Sequence, residues 1–274
     1  METVYKHPLR SEYTTSEEDI NHAVSRVVPS EYKENWHELD NPLYAFKKIA
    51  KGPKITKPKH IFFIVGESIP QWSLDEPYKD LNICPGLWDF KDNPHTAQVP
   101  NFLPAGNVSR PSIVSLLSGI YDAGMEINER EAFWHEPLPT SLAAQMKRLG
   151  YDTIWYGGNA SYGNFNHFGN AQGFDRVESA SVFCGPDAPK TWVGVYDHVF
   201  LEHIEQEIKS LEHPTFHFIY TTSNHGPYKM EDSLLDYDPE QVMPNLGDDL
   251  KSNKKRNKEL ATYRYSDKAI FNFV

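Results

Sequence analysis

The stretch HIFFIVGES, residues 60–68, is the part of the sequence that most strongly predicts the fold. Its first six residues form a nearly unbroken apolar run, which is typical of a strand buried on both faces of a parallel sheet. The run ends at Gly66, and Glu67 follows directly. In open α/β sheets ligands bind beyond the carboxyl ends of the strands, so Glu67 is a candidate ligand for a hard divalent cation. A helix cap or a surface acid is the alternative reading of this residue.

Helices and strands alternate downstream of this first strand. Residues 141–149 have helical spacing and are closed by a glycine, and the strand YDTIWY, residues 151–156, follows them. Another strand is predicted over TFHFIYTT, residues 215–222, which leads into SNHGPY, residues 223–228. This succession of helix, glycine and strand is typical of βαβ units, so the predicted fold class is α/β. We expect His225 to lie at the same sheet edge as Glu67.

The stretch GNVSRPSIVSLLSG, residues 106–119, predicts a short buried helix with hydroxyl groups at its start. Pro111 has a backbone angle suited to a first helical turn, and Ser109 or Arg110 falls where a helix cap would be. The first N–H groups of a helix are unpaired and attract anions, so Ser109 is placed as a nucleophile for phosphate or sulfate esters. The alternative is that Ser109 only caps the helix.

Composition excludes some classes of function. The 274 residues carry a formal net charge of −11, which argues against nucleic acid as a partner because phosphate backbones need a basic face. No run approaches the roughly 18 apolar residues of a membrane span. We interpret residues 1–57 as a polar lead-in segment and residues 58–274 as the main domain. Cys84 and Cys184 either form one bridge or remain two buried thiols.

Three pieces in this order resemble the sulfatase-like branch of the alkaline phosphatase superfamily: VGES with Glu67, GNVSRPS with Ser109, and TSNHGPY with His225. The resemblance is nearest to lipoteichoic acid synthases and phosphoethanolamine transferases, and it covers the chain from about Lys59 onward. Supporting marks are LLSG, residues 116–119, and GFD, residues 173–175, with Trp192-x-Gly194-x-x-Asp197 and Tyr263-x-Tyr265-Ser266-Asp267. It implies a three-layer α/β/α fold with a mostly parallel central sheet.

The resemblance also implies roles for single residues. Glu67 matches the first metal ligand of the family, Ser109 the metal-bound nucleophile, and His225 a substrate-binding histidine. The implied cofactor is a divalent metal ion: manganese, zinc, magnesium or calcium. The implied substrate is an anionic phospholipid or glycan at the extracytoplasmic face of a bacterial membrane, with transmembrane helices preceding residue 1 in the parent protein. Further candidates for substrate binding are Arg110, Asn107 and Asn224.

Two of the chain's departures from the family pattern bear directly on its chemistry. Ile113 stands where sulfatases that mature a formylglycine have arginine, so an unmodified serine and phosphoester chemistry are favoured over sulfate ester hydrolysis. The late Gly-Asp-His motif, which supplies further metal ligands in the family, is absent from residues 1–274. We therefore expect a fold that is incomplete at its C-terminus and a chain that is inactive alone. An inactive domain that binds an anionic glycan is the remaining alternative.

Overall fold

The protein divides into two units, Met1–Lys57 and Pro58–Val274. The structure is a computed structural model, and it describes residues 16–39, 45, 52, 55–99, 102–159, 163, 165–235, 238–242 and 244–274. In the smaller unit, helix α1 spans Glu17–Val27, and its first turn is capped by reciprocal hydrogen bonds between Ser16 and Asp19. The buried apolar cluster of this unit consists of Val24, Val28 and Ala45. The sequence also predicts a weakly amphipathic stretch over residues 42–50, of which the structure describes only Ala45.

A parallel sheet lies at the centre of the larger unit. Within the part of the chain that the structure describes, this sheet has four strands in the order β1-β4-β2-β3. Every pairing between them is parallel, which confirms the predicted α/β class. The strands are β1 (His60–Val65), β2 (Asp152–Gly157), β3 (Arg176–Ser179) and β4 (Thr215–Tyr220).

Helices cover both faces of this sheet, because successive side chains of a buried strand point to opposite faces. Trp155 of β2 packs on one face with apolar residues of α3 (Ser109–Ser118), α4 (Leu142–Arg148) and α5 (Phe165–Ala171). Its neighbour Tyr156 packs on the other face with residues of α6 (Ala180–Phe183), α7 (Asp197–Ile208) and α10 (Lys254–Phe273). The three-layer arrangement is therefore confirmed. The other α-helices of this unit, among the described residues, are α2 (Pro85–Asp92), α8 (Pro239–Val242) and α9 (Asp248–Lys251).

Helix α3 begins differently from the sequence prediction. Its N-cap is Val108, whose extended backbone leads into the helix without a side-chain cap, so the expected capping by Ser109 or Arg110 is wrong. Ser109 is the first helical residue and Pro111 the third. The helix ends at Gly119, whose φ of 71° is the left-handed conformation that favours glycine at this position. The Ser109 hydroxyl is therefore available to a partner other than its own helix.

The structure also settles the cysteine alternatives. Cys84 and Cys184 are both free thiols, and burial raises the pKa of each, that of Cys184 to about 11. Among the described residues, none of the helices is both long and apolar enough to cross a membrane. Helix α10 begins at Lys254, and Asn253 caps it because its side-chain oxygen accepts a hydrogen bond from the Arg256 amide.

Candidate active site

The structure brings Glu67 and Ser109 together at the carboxyl edge of the sheet. Glu67 follows β1 and is buried, while Ser109 opens α3. The Ser109 hydroxyl donates a 2.8 Å hydrogen bond to Oε2 of Glu67. A buried carboxylate thus faces a hydroxyl at a helix start, which is the pair expected from the two sequence stretches.

Two further hydroxyl groups hold the Glu67 carboxylate. Ser68 donates a 2.8 Å hydrogen bond to Oε1, and the Tyr220 hydroxyl donates to Oε2, the atom that also accepts from Ser109. Burial, followed by the nearby charge of Glu67, raises the pKa of Tyr220, so its proton stays on the oxygen. Sequence reasoning missed Tyr220. It ends β4, and the parallel register that pairs it with Val65 of β1 places it beside Glu67.

The backbone around Glu67 is fixed by the loop that follows β4. The Glu67 amide donates a 3.3 Å hydrogen bond to the Thr221 hydroxyl, and the Asn224 amide donates to the carbonyls of Glu67 and Ser68 at 3.3 and 2.9 Å. Ser68 has a φ of 51°, a conformation that is uncommon for residues other than glycine. Asn224, a candidate for substrate binding, is buried and directed to this backbone, where it holds the turn that carries Glu67.

A cleft of about 420 Å³ opens in front of Ser109. Two of the other candidates, Arg110 and His225, line it together with Ser109. Asn107 is exposed in the bend before α3 and is not part of the lining. The remaining lining residues are Ile113, Glu129, Trp155, Asn159, Gly163, Phe165, Val193 and Tyr220.

The tautomer of His225 follows from its hydrogen bond. Nδ1 lies 2.6 Å from the carbonyl oxygen of Gly226. A carbonyl oxygen can only accept, so Nδ1 carries the hydrogen, and the Nε2 of neutral His225 has a lone pair. The Trp192 ring packs edge-on against the imidazole at a centroid distance of 5.3 Å. His225 thus has one nitrogen committed to the backbone and one with acid–base capacity.

Arg110 is held on one wall of the cleft by Glu129. Its Nη1 lies 3.1 Å from Oε1 of Glu129. The same oxygen accepts a 2.7 Å hydrogen bond from the side-chain amide of Asn128, which is fully buried. Glu129 was not a sequence candidate, because nothing in its neighbourhood distinguishes it from a surface acid. The cleft therefore presents a cation and an anion side by side next to Ser109.

Asp197 supports the loop that carries His225. Its carboxylate is fully buried, with Oδ1 accepting from the amides of Thr222 and Ser223 at 3.0 Å each, and Oδ2 accepting from the Ser266 hydroxyl at 2.8 Å. Its own amide donates to the Ser223 hydroxyl at 2.8 Å. Burial raises the pKa of Asp197, and these hydrogen bonds oppose that shift. Asp197 therefore ties the end of β4 to α7 and to α10.

Asp267 makes a second connection from α10. Its two carboxylate oxygens accept from the amides of Gly86 and Leu87 at 2.8 and 2.9 Å, which caps the start of α2. The two motifs that contain Asp197 and Ser266-Asp267 thus have a structural explanation. The carboxylates of Asp197 and Asp267 hold neighbouring helices and loops in place through hydrogen bonds, and neither residue lines the cleft.

Glu67 and Ser109 supply two oxygen atoms of the kind that a divalent cation takes as ligands. Two neighbouring ligands of an octahedral cation with bonds of 2.0–2.1 Å lie about 2.9 Å apart. The Glu67 and Ser109 oxygens, 2.8 Å apart, match this spacing, and both are hard oxygen donors. Among the residues that the structure describes, however, His, Cys, Asp and Glu form no group of three or more that could hold a metal ion. Glu67 and Ser109 would supply part of a coordination shell.

The sulfatase family model matches residues 59–274. The chain is 25% identical over 124 residues to "Lipoteichoic acid synthase-like YvgJ" of Bacillus subtilis (strain 168). It is 19% identical to a solved protein of the alkaline phosphatase superfamily from Vibrio parahaemolyticus, with a TM-score of 0.60. It is 17% identical to the C-terminal periplasmic domain of EcEptC from Escherichia coli in complex with Zn, with a TM-score of 0.56.

These matches differ in the share of each protein that they cover. The YvgJ match covers 45% of this chain and 19% of YvgJ. The structural matches cover 79% and 80% of this chain, and 50% and 59% of the Vibrio and Escherichia chains. The chain thus spans about a fifth of YvgJ and between half and three fifths of the solved chains. At these identities the solved structures show a shared fold. Since the family model spans more than half of the chain, the protein belongs to the sulfatase family.

Proposed function

We propose that the protein is a metal-dependent phosphoester transferase or hydrolase that acts on envelope lipids or glycans. The observation that carries this proposal is the Ser109 hydroxyl at the first turn of α3, hydrogen-bonded to buried Glu67 and open to a cleft. The name of the relative YvgJ, lipoteichoic acid synthase-like, and the periplasmic EcEptC domain support an extracytoplasmic site of action. The proposal includes a parent protein that is anchored in the membrane.

Helix α3 supplies the site for the phosphoryl group. The first amides of a helix have no partners within the helix and carry a partial positive charge, which attracts an anion placed beside Ser109. Arg110 adds a guanidinium group on the wall of the cleft. The phosphoester is therefore held with its phosphorus next to the Ser109 oxygen.

Attack on phosphorus requires the Ser109 oxygen to lose its proton. That proton faces Oε2 of Glu67, which accepts the hydrogen bond. A bond forms between the Ser109 oxygen and phosphorus, and the bond from phosphorus to the leaving alcohol breaks, which gives a phosphoserine ester. Glu67 and Ser109 would hold a divalent cation, which lowers the pKa of a hydroxyl that it contacts.

His225 transfers the protons of the leaving alcohol and of the second nucleophile. The leaving alkoxide takes a proton from Nε2 of protonated His225, and neutral His225 then accepts a proton at Nε2 from water or from an acceptor alcohol. That nucleophile attacks the phosphoserine ester, and the bond from phosphorus to the Ser109 oxygen breaks. Ser109 takes back from water the proton that it released in the first step. The hydrogen bond from Nδ1 to the Gly226 carbonyl keeps Nε2 as the exchanging nitrogen.

Phosphoester chemistry is favoured over sulfate ester chemistry by Ile113. This residue packs in the core beside Val114 and Leu117, at the position where the formylglycine-forming sulfatases resembled by the sequence have arginine. An unmodified Ser109 is an alcohol nucleophile, suited to phosphoryl transfer through a covalent ester.

The experiment compares Ser109→Ala with Ser112→Ala in the complete natural protein with Mn²⁺. Ser112 is on the same helix, but its hydroxyl donates to the backbone carbonyls of Gly106 and Val108. We expect bis(p-nitrophenyl) phosphate hydrolysis to fall at least about a thousandfold in Ser109→Ala and to change little in Ser112→Ala. Equal activity in Ser109→Ala and the native protein would exclude Ser109 as the nucleophile, and faster release from p-nitrophenyl sulfate would favour a sulfatase.

A further inference from the structure

We propose that Tyr220 is a positioning residue for the metal site, and that its hydroxyl keeps its hydrogen bond to Oε2 of Glu67 when a divalent cation is bound. The proposal rests on the proposed function, because it assumes a cation held by Glu67 and Ser109. It adds a residue on a third element, β4, which acts on the cation only through the carboxylate that it holds.

Hydrogen bonds on both sides of β4 fix the backbone of Tyr220. Its carbonyl oxygen accepts a 2.7 Å hydrogen bond from the Gly158 amide, and the next amide, that of Thr221, donates to the Val65 carbonyl at 3.1 Å. Tyr220 is only 4% exposed and belongs to the buried apolar cluster that also contains Ile113 of α3. The hydroxyl therefore extends from a rigid part of the fold to the carboxyl edge of the sheet.

Hydroxyl groups hold both oxygens of the Glu67 carboxylate. Ser68 donates to Oε1 at 2.8 Å, and Tyr220 donates to Oε2. The last side-chain torsion of a glutamate has a broad range, so a carboxylate that is held at one oxygen can still turn. Donors on both oxygens fix its plane. Tyr220 thus keeps Oε2 directed toward the Ser109 hydroxyl, which lies 2.8 Å away.

The two hydroxyl groups on Oε2 differ in their response to a cation. A carboxylate oxygen has two lone pairs, and Ser109 and Tyr220 both donate to this one. Ser109 is itself a candidate ligand, so its hydrogen must leave Oε2 when a cation binds to both residues. Tyr220 is not required as a ligand, and its hydrogen bond uses the other lone pair. The cation therefore takes the lone pair that Ser109 releases.

The buried charge of Glu67 makes the orientation of its carboxylate important for metal affinity. Glu67 is 8% exposed, and among the described residues its carboxylate is paired with hydroxyl groups and forms no ion pair. Arg110 lies in the same cleft but is paired with Glu129. Buried charges are normally paired or coordinate a metal. Hydrogen-bond partners of ligating side chains typically contribute about 10–100-fold to metal affinity.

Two other roles for Tyr220 make different predictions. In a purely structural role, loss of its hydroxyl would lower the stability of the metal-free protein and leave the metal affinity of the folded protein unchanged. As a direct ligand, the phenol would lose its proton, and metal addition would produce the ultraviolet absorption of tyrosinate.

Tyr156 provides the matched control for Tyr220. It is a fully buried tyrosine on the neighbouring strand β2, and its hydroxyl donates a 2.8 Å hydrogen bond to Oε2 of Glu207. Neither Tyr156 nor Glu207 lines the cleft. Tyr156→Phe therefore removes the same kind of hydrogen bond at a distance from the site.

The test measures Mn²⁺ binding to the complete natural protein, to Tyr220→Phe and to Tyr156→Phe by titration, with the EPR signal of free Mn²⁺ as the readout. We expect the dissociation constant to rise about tenfold in Tyr220→Phe and to change by less than about twofold in Tyr156→Phe. Addition of Mn²⁺ to the native protein should produce no tyrosinate absorption. At saturating Mn²⁺, bis(p-nitrophenyl) phosphate hydrolysis by Tyr220→Phe should return to within about threefold of the native rate, because only affinity is lost.

An unchanged dissociation constant in Tyr220→Phe, an equal rise in Tyr156→Phe, or tyrosinate absorption would overturn the proposal. A native protein that binds no Mn²⁺, or a loss of hydrolysis that saturating Mn²⁺ does not reduce, would overturn it as well. If Tyr220→Phe does not fold, Ser68→Ala decides, since it removes the donor on Oε1 and should also raise the dissociation constant. A tenfold loss of Mn²⁺ affinity in a protein that hydrolyses no phosphoester would support the role of Tyr220 and count against the proposed function alone.

Discussion

Ser109 and Glu67, which are 42 residues apart in the chain, are joined by a 2.8 Å hydrogen bond from the serine hydroxyl to Oε2 of the carboxylate. The Tyr220 hydroxyl donates to the same oxygen. Oε2 of Glu67 therefore accepts hydrogen bonds from two hydroxyl groups that belong to two separate elements, α3 and β4. A cation bound at this oxygen would either bind beside these two hydrogen bonds or require one or both hydroxyl groups to rotate so that their hydrogen bonds break.

The first prediction concerns metal binding by Glu67. Mn²⁺ at about 100 times its dissociation constant stabilises a protein by about 2.7 kcal/mol, because it binds only the folded state. We expect Mn²⁺ to raise the melting temperature of the native protein and to have little effect on Glu67→Gln, which lacks the anionic ligand. Exposed Glu136 provides the control, since Glu136→Gln makes the same change away from the site. An undiminished Mn²⁺ response in Glu67→Gln would remove Glu67 from the metal site.

The second prediction concerns the buried carboxylate of Asp197. Asp197→Asn keeps the shape and one acceptor oxygen, but it weakens the charge-assisted bonds to two loop amides and to the Ser266 hydroxyl. We expect the free energy of unfolding to fall by about 1–3 kcal/mol, as measured by urea denaturation. Asp187→Asn removes an exposed charge and should change it by less than about 0.5 kcal/mol. Similar losses in both variants would refute the supporting role of Asp197.

The third prediction concerns the pH dependence of stability through His217. This side chain is fully buried on β4, with Nε2 3.1 Å from Nδ1 of His60 and its ring stacked on Phe62. Burial, followed by the charge of His60, lowers the pKa of His217 to about 4 from its ordinary value of 6.5. Between these values the unfolded chain binds a proton that the folded protein does not, so stability falls as the pH falls through this window.

The measurement compares urea unfolding at pH 7 and pH 5 in the native protein and in His217→Phe. His217 should account for a loss of roughly 2 kcal/mol between these two pH values, because 1.5 pH units below 6.5 correspond to about 1.4 kcal/mol each. The variant should therefore lose less stability on acidification than the native protein. A pH response that is the same in both proteins would show that His217 is not the group responsible.

The fourth prediction concerns Gly194 in the segment before α7. A Cβ atom at this position would lie 1.9 Å from the carbonyl oxygen of Gly158 and 2.6 Å from the hydroxyl oxygen of Thr222. The Gly158 carbonyl is held in place because it accepts a 3.0 Å hydrogen bond from the Val195 amide. We expect Gly194→Ala to cost at least about 2 kcal/mol in thermal or urea unfolding. Gly226→Ala, where the nearest atom is 3.9 Å away, should cost clearly less; equal costs would contradict the steric argument.

The parts of the fold that could be predicted have local signals. The apolar run over residues 60–65 coincides with β1, and the strand predicted over 215–222 is β4, two residues shorter. Ser109 was expected at the start of a helix, and it is the first residue of α3. Only the capping was wrong, since a hydroxyl that can cap its own helix can equally bond to a distant carboxylate, and the sequence does not distinguish the two.

Tyr220 and Glu129 were not predictable for a different reason. Tyr220 reads as an ordinary aromatic strand residue, and only its pairing with β1 places its hydroxyl on Glu67, 153 residues earlier. Glu129 reads as a surface acid, and only the ion pair with Arg110 and the buried amide of Asn128 place it in the cleft. Contacts between distant segments depend on tertiary packing, which neither composition nor periodicity encodes.

The position of β4 between β1 and β2 has a consequence for the order of events during synthesis. A nascent chain carries Glu67 and Ser109 well before it carries Tyr220, and the pairing partner of β1 is missing until β4 has left the ribosome. Parallel pairings between such distant segments form late and slowly. Until β4 pairs with it, the backbone edge of β1 has unpaired N–H and C=O groups. Chaperones or a second nascent chain could bind this edge during synthesis.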